Sequence, residues 1–493
     1  MDLAEELRAS LKDLFATGPI EIRENGGRTT PLAPLSWEVR GATDKPLLHL
    51  WAENCNVTRR VLAISDQSRE RIMLAVERFG KTAPDRMEIV HLDFKRNPKQ
   101  VSREDFCDQL RRILAEKFPD ETVERLSIAA DLEHSLSRIY ARGITRKGAI
   151  HGAFLAVPEA ESQDAIESIL TFALLWLERA RQSSGRRTIS FLRLILPEGK
   201  TASLSHQLNS LDPRLPIQVY ELDSHHHEQV ELIDFRSNGN VNNWLVPQRE
   251  SELLMGRASS DLARIVALAP DAISPHAIPH EQEVILRFRG LPFARWKDGQ
   301  IFFGSGAFWQ ELCHRNDHEL QQLILNLKSF RDPSSTDLRH PLYRAQAERW
   351  MQTMVMRDVR RVDIALDPAH VYEQVIAKSG GQHGVLDLLA VTNSQRLAIL
   401  ELKATENPDL PLQAADYWQR IRHHQAQGDL ARYGYFPDLR LQTAPPIVYL
   451  VAPALRFHPS TETLLRYLSP EMEIIRVGLA ESWRRGLRVV MRQ

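Results

Sequence analysis

The stretch that most limits how this chain can fold is residues 384–404, GVLDLLAVTNSQRLAILELKA. Two apolar runs flank the turn-forming TNSQ, so they read as antiparallel strands. Asp387 nevertheless stands near the start of the first run, and Glu401 and Lys403 stand near the end of the second. Charged side chains are rarely buried unless they are paired or bound to something. Period-two alternation puts Asp387 on one face with Val385, Leu389 and Val391, and Glu401 and Lys403 on one face with Leu397 and Ile399. If the two strands pair in register, three charges meet at one end of an apolar hairpin. Such a hairpin is either an edge or a site.

The flanking segments add polar groups. A helix is expected over 342–361, where Glu348, Met351, Val355, Val359 and Val362 recur at helical spacing, which sets Glu348 on the apolar stripe. A second helix, 411–427, carries Gln413, Tyr417 and Arg420 along one face. With strands expected at 371–377, 384–391, 396–404, 446–452 and 472–478 and a helix at 460–468, residues 340–493 read as an α/β sandwich. Two or three carboxylates in such a group can hold Mg²⁺ or Mn²⁺ through oxygen and leave coordination positions for water and a phosphate oxygen. Lys403 is then placed to orient the water or to balance developing charge, and the implied reaction is phosphodiester hydrolysis.

Asp387 followed by Glu401-Leu402-Lys403, within that order of helix, meander, helix and strand, resembles the PD-(D/E)XK nuclease superfamily. The resemblance covers the last third of the chain and implies a restriction-endonuclease-like fold. It further implies that Asp387 and Glu401 bind the metal, joined by Glu348, that Lys403 assists catalysis and that Gln413 supports the site. Leu386 stands where the family often has proline. The expected activity is a Mg²⁺- or Mn²⁺-dependent nuclease acting on DNA, with RNA as the alternative because the metal chemistry reads phosphate rather than sugar. Many such nucleases act as homodimers to reach both strands, and the sequence leaves that open. The contrasting reading is a nucleic-acid-binding or assembly protein that keeps a nuclease-like domain as an inactive scaffold.

The whole chain of 493 residues is expected to be an α/β multidomain protein. Its segments read as an N-terminal helix with a β-rich domain (1–102), an α/β unit (103–236), a connector with a mixed α/β segment (237–339), and the nuclease-like domain (340–493). Residues 120–236 have an element order reminiscent of a nuclease scaffold without the Asp-Glu-Lys set, although no internal repeat is evident in the sequence. No apolar run approaches the length needed to span a bilayer, and the N-terminus reads as an amphipathic helix, so a cytoplasmic protein with no membrane partner is expected. Cys55, Cys107 and Cys313 are far apart and form no metal-binding pair.

With 63 basic and 64 acidic residues the net charge is −1, so any polyanion must be held by a local patch. Arg59 and Arg60 in VTRRVLAIS, and Arg287 and Arg289 in RFRGLPFARW with Arg295 nearby, are candidates for phosphate contact. Tyr417 and Arg420 join them as nucleic-acid candidates beside the hairpin. The consecutive histidines of SHHHEQ cannot all face one ion and read as a solvated loop.

Overall fold

The computed structural model describes the chain except for residues 1, 17–19, 25–26, 30–35, 41–44, 53–54, 68–70, 78–84, 92–97, 132–135, 138, 186, 224–228, 237–243, 306–307, 374 and 378–386. The histidine run at 225–227 and the first residues of the hairpin, 384–386, lie outside the described residues. The described chain is mixed α/β and divides into Met1–Asp108 and Gln109–Gln493.

In the first unit, seven strands between residues 20 and 91 form one sheet in which every neighbouring pair is antiparallel. The helix Leu3–Phe15 places Ala4, Leu7, Leu11 and Leu14 on one side, and these join a core with Leu48, Leu50, Ile72 and Leu74. Asp2 caps that helix, its side chain accepting from the Ala4 amide at 3.1 Å.

The second unit contains two six-stranded sheets. The first is built from β1 (Thr122–Ser127), β2 (Ala141–Lys147), β3 (Ile150–Ala156), helix α1 (Ile169–Ser183), β4 (Ile189–Pro197), helix α2 (Thr201–Asn209), β5 (Ile217–Asp223) and β6 (Gln229–Ile233). Its strands lie in the order 6-5-4-3-2-1, with β3, β4 and β5 parallel and the outer pairings antiparallel. A five-stranded antiparallel sheet follows over 273–311, packed with the helices Gln248–Val266 and Asp317–Phe330.

The last sheet is preceded by helix α3 (Ala347–Arg357) and built from β7 (Leu366–Glu373), β8 (Leu388–Thr392), β9 (Leu397–Leu402), helix α4 (Leu410–Gln427), β10 (Ile447–Pro453), helix α5 (Thr461–Leu465), β11 (Ile474–Leu479) and β12 (Val489–Arg492). Strands β9 and β10 are buried along their whole length and so read as unbroken apolar runs, as parallel strands covered on both faces do. Pro411 opens α4 and Gly428, with φ of 69°, ends it.

Both six-stranded sheets have one topology: a meander of three strands, a helix crossover, a parallel strand, a second helix crossover, a parallel strand and a final antiparallel strand. The two sheets enclose a shared layer in which α4 packs on α2 and α5 packs on α1. These contacts are reciprocal, as in an isologous dimer. Leu211 and Leu468, each six residues ahead of its next strand, form an antiparallel bridge. Around them the Asp212 amide donates to the Tyr467 carbonyl at 2.9 Å, and the Ser469 amide donates to the Ser210 carbonyl at 2.8 Å. Ser168, which precedes α1, donates to Asp409, which precedes α4, at 2.9 Å. An internal pseudo-two-fold axis therefore runs through the second unit.

The single helix expected over 342–361 is broken. A short turn, Pro341–Arg344, is separated from α3 by Gln346, whose φ is 47°. The break is held by Arg331, fully buried, whose guanidinium donates to the carbonyls of Phe288, Arg289, Leu342, Ala345 and Gln346 at 2.6–3.4 Å. Gly290, with φ of 83°, lets the neighbouring turn approach α3 so closely that a Cβ there would lie 2.4 Å from the Arg349 backbone.

Glu373 at the end of β7 ties the five-stranded sheet to the last one. Its carboxylate takes Arg287 at 3.0 Å, Gln352 at 3.1 Å and the His276 ring at 2.5 Å. Burial alone would raise this carboxyl, but His276 and then Arg287 override it and hold it down to about 2. Because the folded value lies below the unfolded 4.5, the contribution is complete above about pH 4.5 and disappears as pH falls through about 2. It amounts to roughly 3 kcal/mol. Glu373→Gln is expected to be less stable at neutral pH and to lose less stability across that acid window, measured by urea unfolding at several pH values. Parallel profiles for the two proteins would refute this account.

Candidate functional site

Strands β8 and β9 pair from Leu388 with Leu400 to Val391 with Leu397. Carried one pair further, that register sets Asp387 opposite Glu401. There the Asp387 carboxylate, rather than a backbone carbonyl, accepts the Leu402 amide at 2.8 Å. The Lys403 amide donates instead to Val451 of β10 at 2.9 Å, which fixes the end of β9. Glu401 is 2% exposed. Lys403 donates from Nζ to Glu401 Oε1 at 3.1 Å and lies 4.0 Å from Glu348 Oε2. The Lys403 side chain is 12% exposed and that of Glu348 43%, so the cluster meets solvent on the Glu348 side.

Burial raises both the Asp387 and the Glu401 carboxyls, and the Asp387 charge raises Glu401 further, while Lys403 offsets part of each shift. Burial would lower the Lys403 ammonium, but Glu401, Glu348 and Asp387 outweigh it and hold Lys403 charged. Glu401 Oε2 is buried with no hydrogen-bond partner among the described residues. An unsatisfied buried carboxylate oxygen costs about 1–3 kcal/mol or more. One ammonium thus faces an acidic pair that is short of positive charge.

A hard divalent cation fits this shortage, because the acidic pair offers oxygen ligands and the exposed side leaves room for water. The three carboxylates expected to share the ion are not drawn together, however. Among the described residues no three His, Cys, Asp or Glu side chains form a group able to hold a metal ion. Glu348 opens α3 at the exposed end of its apolar stripe and faces Lys403, so the residues that fit the cation best are Asp387 and Glu401.

Gln413 is half-buried on α4, and its Oε1 has no hydrogen-bond partner among the described residues. Tyr417, one turn later, is 4% exposed. Burial and then the charges of Glu401 and Asp387 push its phenol well above the usual range. It therefore backs the acidic pair from inside, which corrects its assignment as a nucleic-acid contact.

Arg420 is also corrected. It is buried and held by Asp416 at 2.8 and 3.2 Å, one turn back on the same helix. Arg287 is buried on Glu373, and Arg289 is spent on the Arg331 carbonyl and on Asp332. Strand alternation suggested solvent-facing arginines, but neighbouring elements cover that face. In the first unit Arg60 is half exposed, 3.7 Å from Glu77, and Arg59 donates to the Thr58 carbonyl at 2.8 Å.

Three residues escaped the sequence reading. Arg349, next to Glu348, exerts its charge on Asp387. Gln352, buried one turn after Glu348, donates to the Asp387 carbonyl and to Glu373, both at 3.1 Å. Asp409 turns its side chain to Ser168 and lies within electrostatic reach of Lys403. The available signal was a glutamine among Trp350, Met351 and Val355, a polar residue that a buried stripe retains only when it has partners.

No family model, curated protein or solved structure matches this chain.

If Glu401 served only as the structural partner of Lys403, Glu401→Gln would cost about 3–5 kcal/mol, the penalty for breaking a buried pair. The crowded acidic pair gives the opposite expectation. In EDTA, Glu401→Gln is expected to be at least as stable as the wild type in thermal unfolding. A loss of several kcal/mol would return Glu401 to a structural role.

Proposed function

We propose that the chain is a divalent-metal-dependent nuclease that hydrolyses phosphodiester bonds in DNA, with a restriction-endonuclease-like fold in the last sheet and its helices. The observation that carries this reading is half-buried Asp387 opposite buried Glu401, one of whose carboxylate oxygens has no partner among the described residues, set beside an ammonium held in its charged form. A purely structural ion pair would satisfy its oxygens. An acidic pair that waits for a cation need not. The sheet topology supports the same reading, because its meander brings both carboxylates and Lys403 to one end of adjacent strands.

Asp387 and Glu401 would hold Mg²⁺ or Mn²⁺, with Glu348 near enough to enter through water. When bound, the cation lowers the pKa of a water molecule and neutralises charge gathering on the phosphoryl oxygens. Lys403, with Nζ protons left over from its bond to Glu401, orients the attacking water or donates to a phosphate oxygen from the exposed side. Gln413 offers an amide oxygen that has no partner among the described residues, and Tyr417 closes the inner wall. The Asp387 position is secured through its carboxylate by the Leu402 amide and through its carbonyl by Gln352.

Purified protein is expected to cleave plasmid or oligonucleotide DNA with Mg²⁺ or Mn²⁺ and not with EDTA. Asp387→Ala and Lys403→Ala are each expected to lower the rate by about 100-fold or more, the scale of losing a central electrostatic group, with unchanged circular dichroism. Cleavage by Asp387→Ala at the wild-type rate would sink the assignment. RNA cleavage without DNA cleavage would keep the chemistry and change the substrate.

A further inference from the structure

The first six-stranded sheet shows what stands at the corresponding site of the other copy. The Leu192 amide donates to the Pro216 carbonyl and the Val448 amide to the Glu473 carbonyl, which aligns β4 with β10. The Val157 amide donates to the Ile195 carbonyl, as the Lys403 amide donates to the Val451 carbonyl. Val157 therefore takes the place of Lys403, and Leu155 that of Glu401. Across the hairpin Leu155 pairs with Arg142, which stands where Asp387 stands in the active copy.

None of the described residues at these three positions offers a cation a ligand atom. Leu155 and Val157 are buried and carry no ligand atom. Arg142 is buried, its guanidinium donates to the carbonyls of Ser137 and Ala129, and it lies 5.8 Å from the Trp176 ring centroid. A fixed positive charge occupies the position where the active copy is short of one.

A second copy of the chain cannot replace the missing centre through the same face. The helices α4 and α5, which this arrangement pairs across its axis, are already covered from within the chain by α2 and α1. A two-fold axis of this kind sets two equivalent centres so that each can face one strand of a duplex, and cutting both strands at the same moment takes two such centres. Among the described residues, the second unit has the axis and one such centre.

We propose that the protein is an internal dimer with a single cutting centre, which nicks one strand of duplex DNA per encounter instead of severing both. The proposal rests on the nuclease reading and adds the form of the product.

The test follows supercoiled plasmid in Mg²⁺, with wild-type protein alone and in an equal mixture with Asp387→Ala at constant total concentration. The expected result is open-circular DNA as the first product, linear DNA only after a lag, an initial rate first order in protein, and a rate halved in the mixture. Linear DNA formed as fast as supercoiled DNA disappears, or a rate second order in protein that falls to a quarter in the mixture, would overturn the single-centre proposal while leaving the nuclease reading intact. Absence of any strand cleavage in the plasmid and in labelled duplex and single-stranded oligonucleotides would instead overturn the nuclease reading, and this proposal with it.

Discussion

The apolar helix layer between the two six-stranded sheets belongs to both of them. Leu170, Leu174 and Leu177 of α1, Leu204 and Leu208 of α2, Leu412 and Ile421 of α4 and Leu464 of α5 lie in one continuous core with residues of β3, β4, β9 and β10. Burying such side chains is the main favourable term in folding, worth about 1.5–3 kcal/mol each. Neither sheet could lose the other without exposing its own helices. The position of α4, and with it Tyr417 behind Asp387 and Glu401, depends on packing that the first sheet's helices supply.

That packing allows the site to hold its charges in a poor arrangement. Asp387 and Glu401 are set at the ends of apolar strands where burial disfavours ionisation of both and the Asp387 charge disfavours that of Glu401 further, and Lys403 offsets only part of this. The surroundings are correspondingly rigid: β9 and β10 are buried throughout, Arg331 holds the turn ahead of α3, and Gln352 holds the Asp387 backbone. Local disfavour of this kind persists only where surrounding contacts outweigh it, and such places are often functional.

Much of this was legible in the sequence, and for identifiable reasons. The hairpin, the shared face of Asp387, Glu401 and Lys403, and the extents of α4 and β10 follow from period-two and period-3.6 patterns in long apolar runs. The break at Gln346 was not legible, because it depends on Arg331, distant in sequence, gathering carbonyls. The fates of Arg287, Arg289 and Arg420 were equally hidden: Arg287 is taken up by Glu373 from another sheet, Arg289 by Asp332 and the Arg331 carbonyl, and Arg420 by Asp416 on its own helix. The element order of 120–236 hinted at a second scaffold without the Asp-Glu-Lys set, but the two-fold relation between the halves was not legible. Its two halves share apolar positions and connection order, which many sequences satisfy, and differ at the charged positions that make a repeat visible.

Arg142 also bears on whether the first six-stranded sheet could accommodate the charges that the last one carries. An aspartate at 142 would bury a lone carboxylate against the apolar Leu155 and leave the carbonyls of Ser137 and Ala129 without their donor. A glutamate at 155 or a lysine at 157, introduced first, would bury that charge beside or near a cation, or strand it without an acid. Each single step is unfavourable, and the gain arrives only when all three are made together. The charges of the last sheet could therefore enter the first only as a set, because that sheet's interior penalises each of them alone.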